Sequence, residues 1–204
     1  MAQRCSEAGA QLVHLSTNYV FDGRRDEPYG EDDLPSPRSV YAQSKLAGEY
    51  AALSYGDHAL VVRSSGLYGL HGSGQKGGNF VTRMLQRARE GQQIRMVADQ
   101  RLQPTFTQDL AGALIEAIEQ GADGLLHLTA AGACSWLEFT EAIYEIAGVD
   151  VPIEAVTSSG PVDRPPNGVL ARPRADALGL APLRHWRDAL EDYMQKAGYA
   201  AAAR

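Results

Sequence analysis

Cysteine is scarce: the 204 residues hold two, Cys5 and Cys134, far apart and without framework spacing. That excludes a disulfide scaffold and fits a reduced intracellular protein, with both thiols serving as small apolar side chains. Positive charge is in deficit, 19 Lys and Arg against 25 Asp and Glu for a net −6. The balance argues against a nucleic-acid or anionic-membrane surface. No apolar run approaches the roughly 20 residues that span a bilayer, and the N-terminus lacks the basic-then-apolar layout of a signal peptide. No membrane partner is expected, and the expected location is cytoplasmic. The five histidines (14, 58, 71, 127 and 185) show no mutual spacing that makes a metal site, so no metal is expected. His14 and His127 fall in strand-like runs and read as satisfied core residues. A further shortage is at the front of the chain, where no glycine-rich dinucleotide turn follows a first strand.

What remains is the composition of an ordinary globular domain, 44% hydrophobic and 22% charged, long enough to bury a real core. Residues 2–9 read as a helix end stopped by Gly9, and 11–16 as a strand. A turn-rich acidic stretch, 22–36, leads to Ser36-Pro37, an N-cap and proline pair that predicts a helix start. Apolar residues recur at helical spacing over 40–53, and 58–63 reads as a buried strand. Helices are predicted over 80–89, stopped by Gly91, and over 107–119, opened by Thr107 and stopped by Gly121. Another over 135–147 carries the capping box Ser135-x-x-Glu138. Short strands are predicted at 94–97, 124–128 and after Pro152, and two short helices close the chain after a Pro/Arg-rich loop, 161–173. Strand–helix alternation implies an α/β fold with a doubly wound parallel sheet.

Two motifs stand out. Ser16-Thr17-Asn18-Tyr19-Val20-Phe21 ends an apolar run and delivers a hydroxyl at the C-terminal edge of a strand. Tyr41-Ala42-Gln43-Ser44-Lys45 places a phenol and an amine four apart, on one face of a helix. A free phenol, with a pKa near ~10, is a weak acid at neutral pH; a neighbouring ammonium stabilises its phenolate and pulls that value down. Thr17 adds a donor for a carbonyl or alcohol oxygen. An exposed helical pair is the bland alternative for Tyr41 and Lys45 taken alone.

The order S-T-N-Y-V-F-D-G, P-Y-G-E, Y-A-Q-S-K-L-A-G-E, V-V-R-S-S-G-L-Y-G, G-N-F, D-Q-x-x-x-P-T and R-P-P-N resembles the dTDP-4-dehydrorhamnose reductase family of extended short-chain dehydrogenase/reductases. The likeness runs from residue 1 to the C-terminal helix. It implies an NAD(P)-binding Rossmann-like sheet with a small C-terminal α/β substrate lobe. Residues 1–130 would be mainly sheet and 131–204 mainly lobe, with interleaved boundaries. It implies reduction, with NADPH or NADH, of the 4-keto group of a dTDP-linked deoxysugar, a nucleotide-sugar substrate, and leaves room for a homodimer. Thr17, Tyr41 and Lys45 fall on the family's catalytic positions. The resemblance places Ser16, Tyr41, Lys45, Arg63 and Ser64 at the cofactor. It places Asn18, Tyr19, Val20, Asn79, Phe80, Gln100, Thr105, Arg164 and Asn167 at the sugar nucleotide. The competing readings are a structural ion pair for Arg63, core packing for Phe80, a solvated loop arginine for Arg164 and a buried anchor for Trp136. At the level of the whole chain, the alternatives are a non-catalytic regulatory subunit like the methionine adenosyltransferase β subunit, or an epimerase relative. Epimerases need further acid/base groups beside the threonine, which Asn18 does not offer.

Departures from the family pattern are few. Asn18 stands where aspartate is usual, Gly66 where tryptophan is frequent, Leu102 where glycine is usual and Gly168 where serine is common; these bear on the sugar more than on the chemistry. The largest departure is the front: by the size of a βαβ unit, about 90 residues of fold are expected ahead of this chain. The cofactor's phosphates are therefore expected to be held by residues other than these. Gly72-x-Gly74-x-x-Gly77 matches a dinucleotide pattern but is not in the first βαβ unit, and reads as a substrate-side loop.

Overall fold

The computed structural model describes residues 1–71, 78–159 and 164–201. A short helix, α1 (Ala2–Glu7), leads into β1 (Leu12–Thr17), which ends in a single 3-10 turn, Asn18–Val20. Then come α2 (Val40–Tyr55), β2 (Ala59–Ser64), α3 (Phe80–Arg89), β3 (Ile94–Val97), β4 (Arg101–Leu102), α4 (Thr107–Glu119) and β5 (Gly124–His127). The chain closes with β6 (Ala130–Ala131), β7 (Cys134–Ser135), α5 (Trp136–Ala147), β8 (Ile153–Val156), α6 (Pro173–Ala177), β9 (Leu183–His185) and α7 (Trp186–Lys196).

β1, β2 and β5 form a parallel sheet in that spatial order. Its register sets Ser16 opposite Arg63, and Arg63 opposite His127. Side chains alternate between the two faces. Leu60, Val62 and Leu126 pack with Leu110 and Ala117 of α4, whereas Ala59, Val61 and Leu125 pack with Ala52 of α2. Helices thus cover both faces, as a parallel sheet requires. Among the described residues β1 is paired on one side only.

A second core gathers α3, β3, α5 and α7 around the buried rings of Tyr68, Phe106, Phe139 and Tyr193. β3 pairs in parallel with β8. The chain enters this core at α3 and β3 and again from Ala130 onward, so the two cores interleave along the sequence.

Local signals account for most element ends. The capping box of α5 forms: Ser135 Oγ accepts from the Glu138 amide at 3.1 Å, and the Glu138 carboxylate accepts from the Ser135 amide at 2.6 Å. Two helix starts differ from expectation. Ser39, not Ser36, caps α2, its Oγ accepting from the Ala42 amide at 3.2 Å. Pro37 biases Ser36 toward extended backbone, and the Ser36 amide donates to the Val20 carbonyl at 2.8 Å. α4 begins after Phe106 without a side-chain cap. The run Gly72–Gly77 lies outside the described residues, as does part of the loop 161–173. No helix among the described residues is long and apolar enough to cross a membrane, and none of their His, Cys, Asp and Glu side chains cluster as a metal site.

Candidate functional site

A cleft of about 400 Å³ opens where the C-terminal end of the sheet meets the second core, the usual position for a ligand in an open parallel sheet and a usual volume for one. Ser16, Thr17, Asn18 and Tyr19 line it from the end of β1, and Tyr41 from the first turn of α2. Ser64, Ser65, Gly66 and Leu67 line it from the end of β2, and Asn79, Phe80, Arg83, Gln100, Arg101 and Trp136 from the other side. Tyr41 is 55% exposed, with its ring edge-on to Tyr19 at 6.1 Å. Burial raises the Tyr19 phenol above its ordinary value, and the Arg164 charge opposes that rise. One turn along α2, Lys45 Nζ donates to the Leu15 carbonyl and so ties the helix to β1. Thr17 Oγ1 accepts from the Tyr19 amide at 3.2 Å and donates to Asn18 Oδ1 over a long 3.3 Å. Ser64 Oγ is buried on the cleft wall with no hydrogen-bond partner.

Behind this wall runs a buried polar row. Glu49, two turns beyond Tyr41 on α2 and 1% exposed, accepts from Ser16 Oγ. It also accepts from Arg63 Nε at 3.0 Å and Nη2 at 2.7 Å. Arg63 Nη1 lies 3.4 Å from His127 Nε2, and the Arg63 guanidinium sits 4.9 Å from the Phe21 ring centre. His127 Nδ1 bonds the Ala171 carbonyl at 2.8 Å. Burial depresses the His127 pKa to about 4, so the ring is neutral at pH 7. Its Nδ1–H then donates to Ala171, leaving Nε2 as acceptor toward Arg63.

Several expected site residues lie elsewhere. Arg63, expected at the cofactor, has its side chain 3% exposed and paired with Glu49; the ion-pair reading is the one the geometry takes. Val20 is fully buried with Phe21, Tyr29 and Leu170 because the 3-10 turn points it into that core. Thr105 is also fully buried; its Oγ1 accepts from the Ala130 amide at 3.1 Å and donates to the Gln103 carbonyl at 3.0 Å. Asn167 Nδ2 donates to the carbonyls of Arg25 and Asp26 at 2.9 and 3.0 Å, stapling two loops together, and does not line the cleft. Asn79 lines it but is committed, capping α3 through the Thr82 amide and donating to Gly69 O and Tyr193 Oη at 2.8 and 2.9 Å. Phe80 lines it while packing on Trp136 at 4.5 Å. Gln100 lines it, whereas Arg164 lies outside its wall.

Sequence reasoning passed over Glu49, Arg83 and Arg101. Glu49 continues the Tyr41–Lys45 spacing by four, on the helix face toward the sheet, and that phase was a readable signal. Among the described residues, Arg83 and Arg101 are the only charged side chains on the cleft wall, and neither has a carboxylate partner there. Nothing local announced them.

The model of the RmlD substrate binding domain matches residues 1–198. The chain belongs to this family. It is 39% identical over 198 residues to the spore coat polysaccharide biosynthesis protein SpsK of Bacillus subtilis, covering 96% of this chain and 68% of that protein. It is likewise 39% identical over 198 residues to dTDP-4-dehydrorhamnose reductase of Mycolicibacterium smegmatis, covering 94% of this chain and 59% of that enzyme. The crystal structure of dTDP-4-dehydrorhamnose reductase from Bacillus anthracis in complex with NADP superposes with a TM-score of 0.90 at 32% identity, covering 96% of this chain and 69% of the other. The Rossmann-type α/β fold follows. This RmlD-family chain therefore spans from under three fifths to about two thirds of these relatives.

Within the RmlD family pattern, the four departures meet in pairs. A Cβ at Gly66, where φ is +58°, would lie 2.9 Å from Leu102 Cδ1. Gly66 thus packs against Leu102, and both line the cleft. Asn18 Nδ2 donates to the Gly168 carbonyl at 3.0 Å, and a Cβ at Gly168 would lie 2.2 Å from that Nδ2.

Proposed function

We propose that this chain carries the acid-and-anchor half of a reductase site. The reaction is NAD(P)H-dependent reduction of the 4-keto group of a dTDP-linked deoxysugar, dTDP-4-dehydrorhamnose to dTDP-L-rhamnose, in the cytoplasm. The observation that carries this reading is that Thr17 and Tyr41 line one cleft whose only charged side chains among the described residues are Arg83 and Arg101. In a chain of net charge −6, a cleft whose described lining holds two arginines and no carboxylate favours an anion, and the guanidinium fork suits diphosphate oxygens. The division that follows assigns residues 1–130 chiefly to the cofactor side and 131–204 chiefly to the sugar side.

Thr17 Oγ1 can exchange its long bond to Asn18 for one to the substrate carbonyl oxygen and so orient it. The Tyr41 hydroxyl then gives its proton to that oxygen as negative charge gathers there, and the Lys45 ammonium, with donors left beyond Leu15 O, stabilises the phenolate. The exposure of Tyr41 lets water restore the proton. Bound NAD(P)H would supply the hydride to the carbonyl carbon. The orphaned Ser64 hydroxyl fits it as a polar contact on the sheet side of the cleft, with Lys45 one helical turn behind Tyr41 and outside the cleft lining. We test the reading with Tyr41→Phe in the full-length protein, which includes the segment expected to hold the cofactor's phosphates. NADPH oxidation in the presence of the 4-keto sugar nucleotide should fall by about 100-fold or more, the usual worth of a positioned general acid. Unchanged turnover removes Tyr41 from this role.

A further inference from the structure

The buried row behind the cleft is larger than an ion pair needs to be, and it reaches the site from both sides. Ser16, Arg63 and His127 occupy successive strands at one register level. Glu49 draws Ser16 and Arg63 together from the helix that also bears Tyr41 and Lys45. Every polar atom of the Arg63–Glu49 contact is spent inside the row, so none is available to a ligand. Ser16 immediately precedes Thr17. α2 is held to the end of β1 at two points one helical turn apart, Lys45 on Leu15 O and Glu49 on Ser16 Oγ. Gly48 removes the obstacle to this seating, since a Cβ there would stand 2.9 Å from His14 Nε2.

We infer that Glu49 is a positioning residue: held by Ser16 and Arg63, it fixes the rotation and axial setting of α2 on β1, and thereby the placement of Tyr41 relative to Thr17. The inference deepens the reductase reading and rests on it for its kinetic part only. Fixed geometry is what such a site needs, because misplacement on the order of 1 Å costs about 100-fold in rate. A pair whose role is only structural behaves differently. Replacing both charged partners by apolar residues of similar size is often neutral or stabilising.

The decisive variant is therefore Glu49→Met with Arg63→Met, made in the full-length protein and read in three ways: thermal midpoint, kcat and KM with NADPH and the 4-keto sugar nucleotide, and the fluorine NMR signal of Tyr41 in protein labelled with 3-fluorotyrosine. The expected result is a midpoint at or above that of the parent, kcat down about 10-fold or more with KM changed less than twofold, and a shifted or broadened Tyr41 signal. Ser16→Ala, which cuts one tie and leaves the ion pair whole, is expected to move the Tyr41 signal in the same sense, and it tests the inference should the double variant fail to fold. A recovered midpoint with the parental Tyr41 signal and parental kcat overturns the inference, as does a parental Tyr41 signal in Ser16→Ala. Absence of turnover in the full-length parent, the cofactor-holding segment included, with the Tyr41 signal still displaced in the variants, counts against the reductase reading while supporting the positioning role.

Discussion

The two sides of the cleft are backed by different materials. On the sheet side, the row of buried groups running from Ser16 on the cleft wall through Glu49 and Arg63 to His127 is polar, each member held by directional bonds. In the second core they are rings: Tyr68 stacks on Phe106 at 5.8 Å, and Tyr193 stands edge-on to Tyr68 at 5.2 Å. Aromatic packing tolerates small adjustments, because dispersion is spread over many weak contacts. A buried charge tolerates none, because losing its one partner leaves the whole desolvation cost uncompensated. The wall of the cleft that carries Thr17 and Tyr41 is backed by the unforgiving material, and the opposite wall by the forgiving one.

The sharpest way to break this comparison is to make equally conservative changes in both. Glu49→Gln keeps the shape and removes the charge that Arg63 faces, and is expected to cost about 3–5 kcal/mol. Ile143→Val in the second core, fully buried, is expected to cost only about 0.5–1.5 kcal/mol. Denaturant midpoints measured side by side decide the matter; equal losses would show that the two interiors respond alike.

Acid probes the same row with a smaller effect. His127 has its folded pKa depressed to about 4 from the ordinary 6.5, so the unfolded chain takes up the proton first. Stability from this residue is intact above pH 6.5 and drains as pH falls from 6.5 toward 4, by up to about 3 kcal/mol. Glu31, whose carboxylate accepts from the His127 amide at 3.1 Å, has its pKa raised by burial and works in the opposite sense, gaining on acidification. Unfolding free energies of the parent and of His127→Gln at pH 7 and pH 5 isolate the histidine. The parent should lose more than the variant, and equal slopes would mean that His127 titrates alike in both states.

How far the sequence foretold these arrangements depends on the range of the interaction. The three sheet strands and the capping box of α5 were legible because alternation and capping act within a few residues. Thr17, Tyr41 and Lys45 were legible because helical and strand periods place them. β4, β6, β7 and β9, of two or three residues each, show no period and went unseen. Asn167 and Thr105 read as ligand contacts, yet each spends its polar atoms on backbone. Asn167 does so across more than 140 residues of sequence, and no spacing rule reports such a bond. Arg63 needed a partner on another element to be understood, and Glu49 was in view but without a role.

The contact of Asn18 with Gly168 gives the finest test, because both depart from the family pattern and both sit beside Thr17 or the loop facing it. Gly168 does not have the positive φ that would demand glycine for backbone reasons; what forbids a side chain is the Asn18 amide 2.2 Å from the would-be Cβ and the Arg101 carbonyl at 3.2 Å. Gly168→Ala should therefore cost about 1–3 kcal/mol by overpacking. Asn18→Ala should cost a similar amount by leaving the buried Gly168 carbonyl without its donor. In the double variant the alanine at 168 enters space that the amide has vacated. The combined loss should then fall short of the sum by about 1 kcal/mol, the coupling expected of residues in direct contact. Strict additivity would mean that the Arg101 carbonyl, not Asn18, sets the limit at 168.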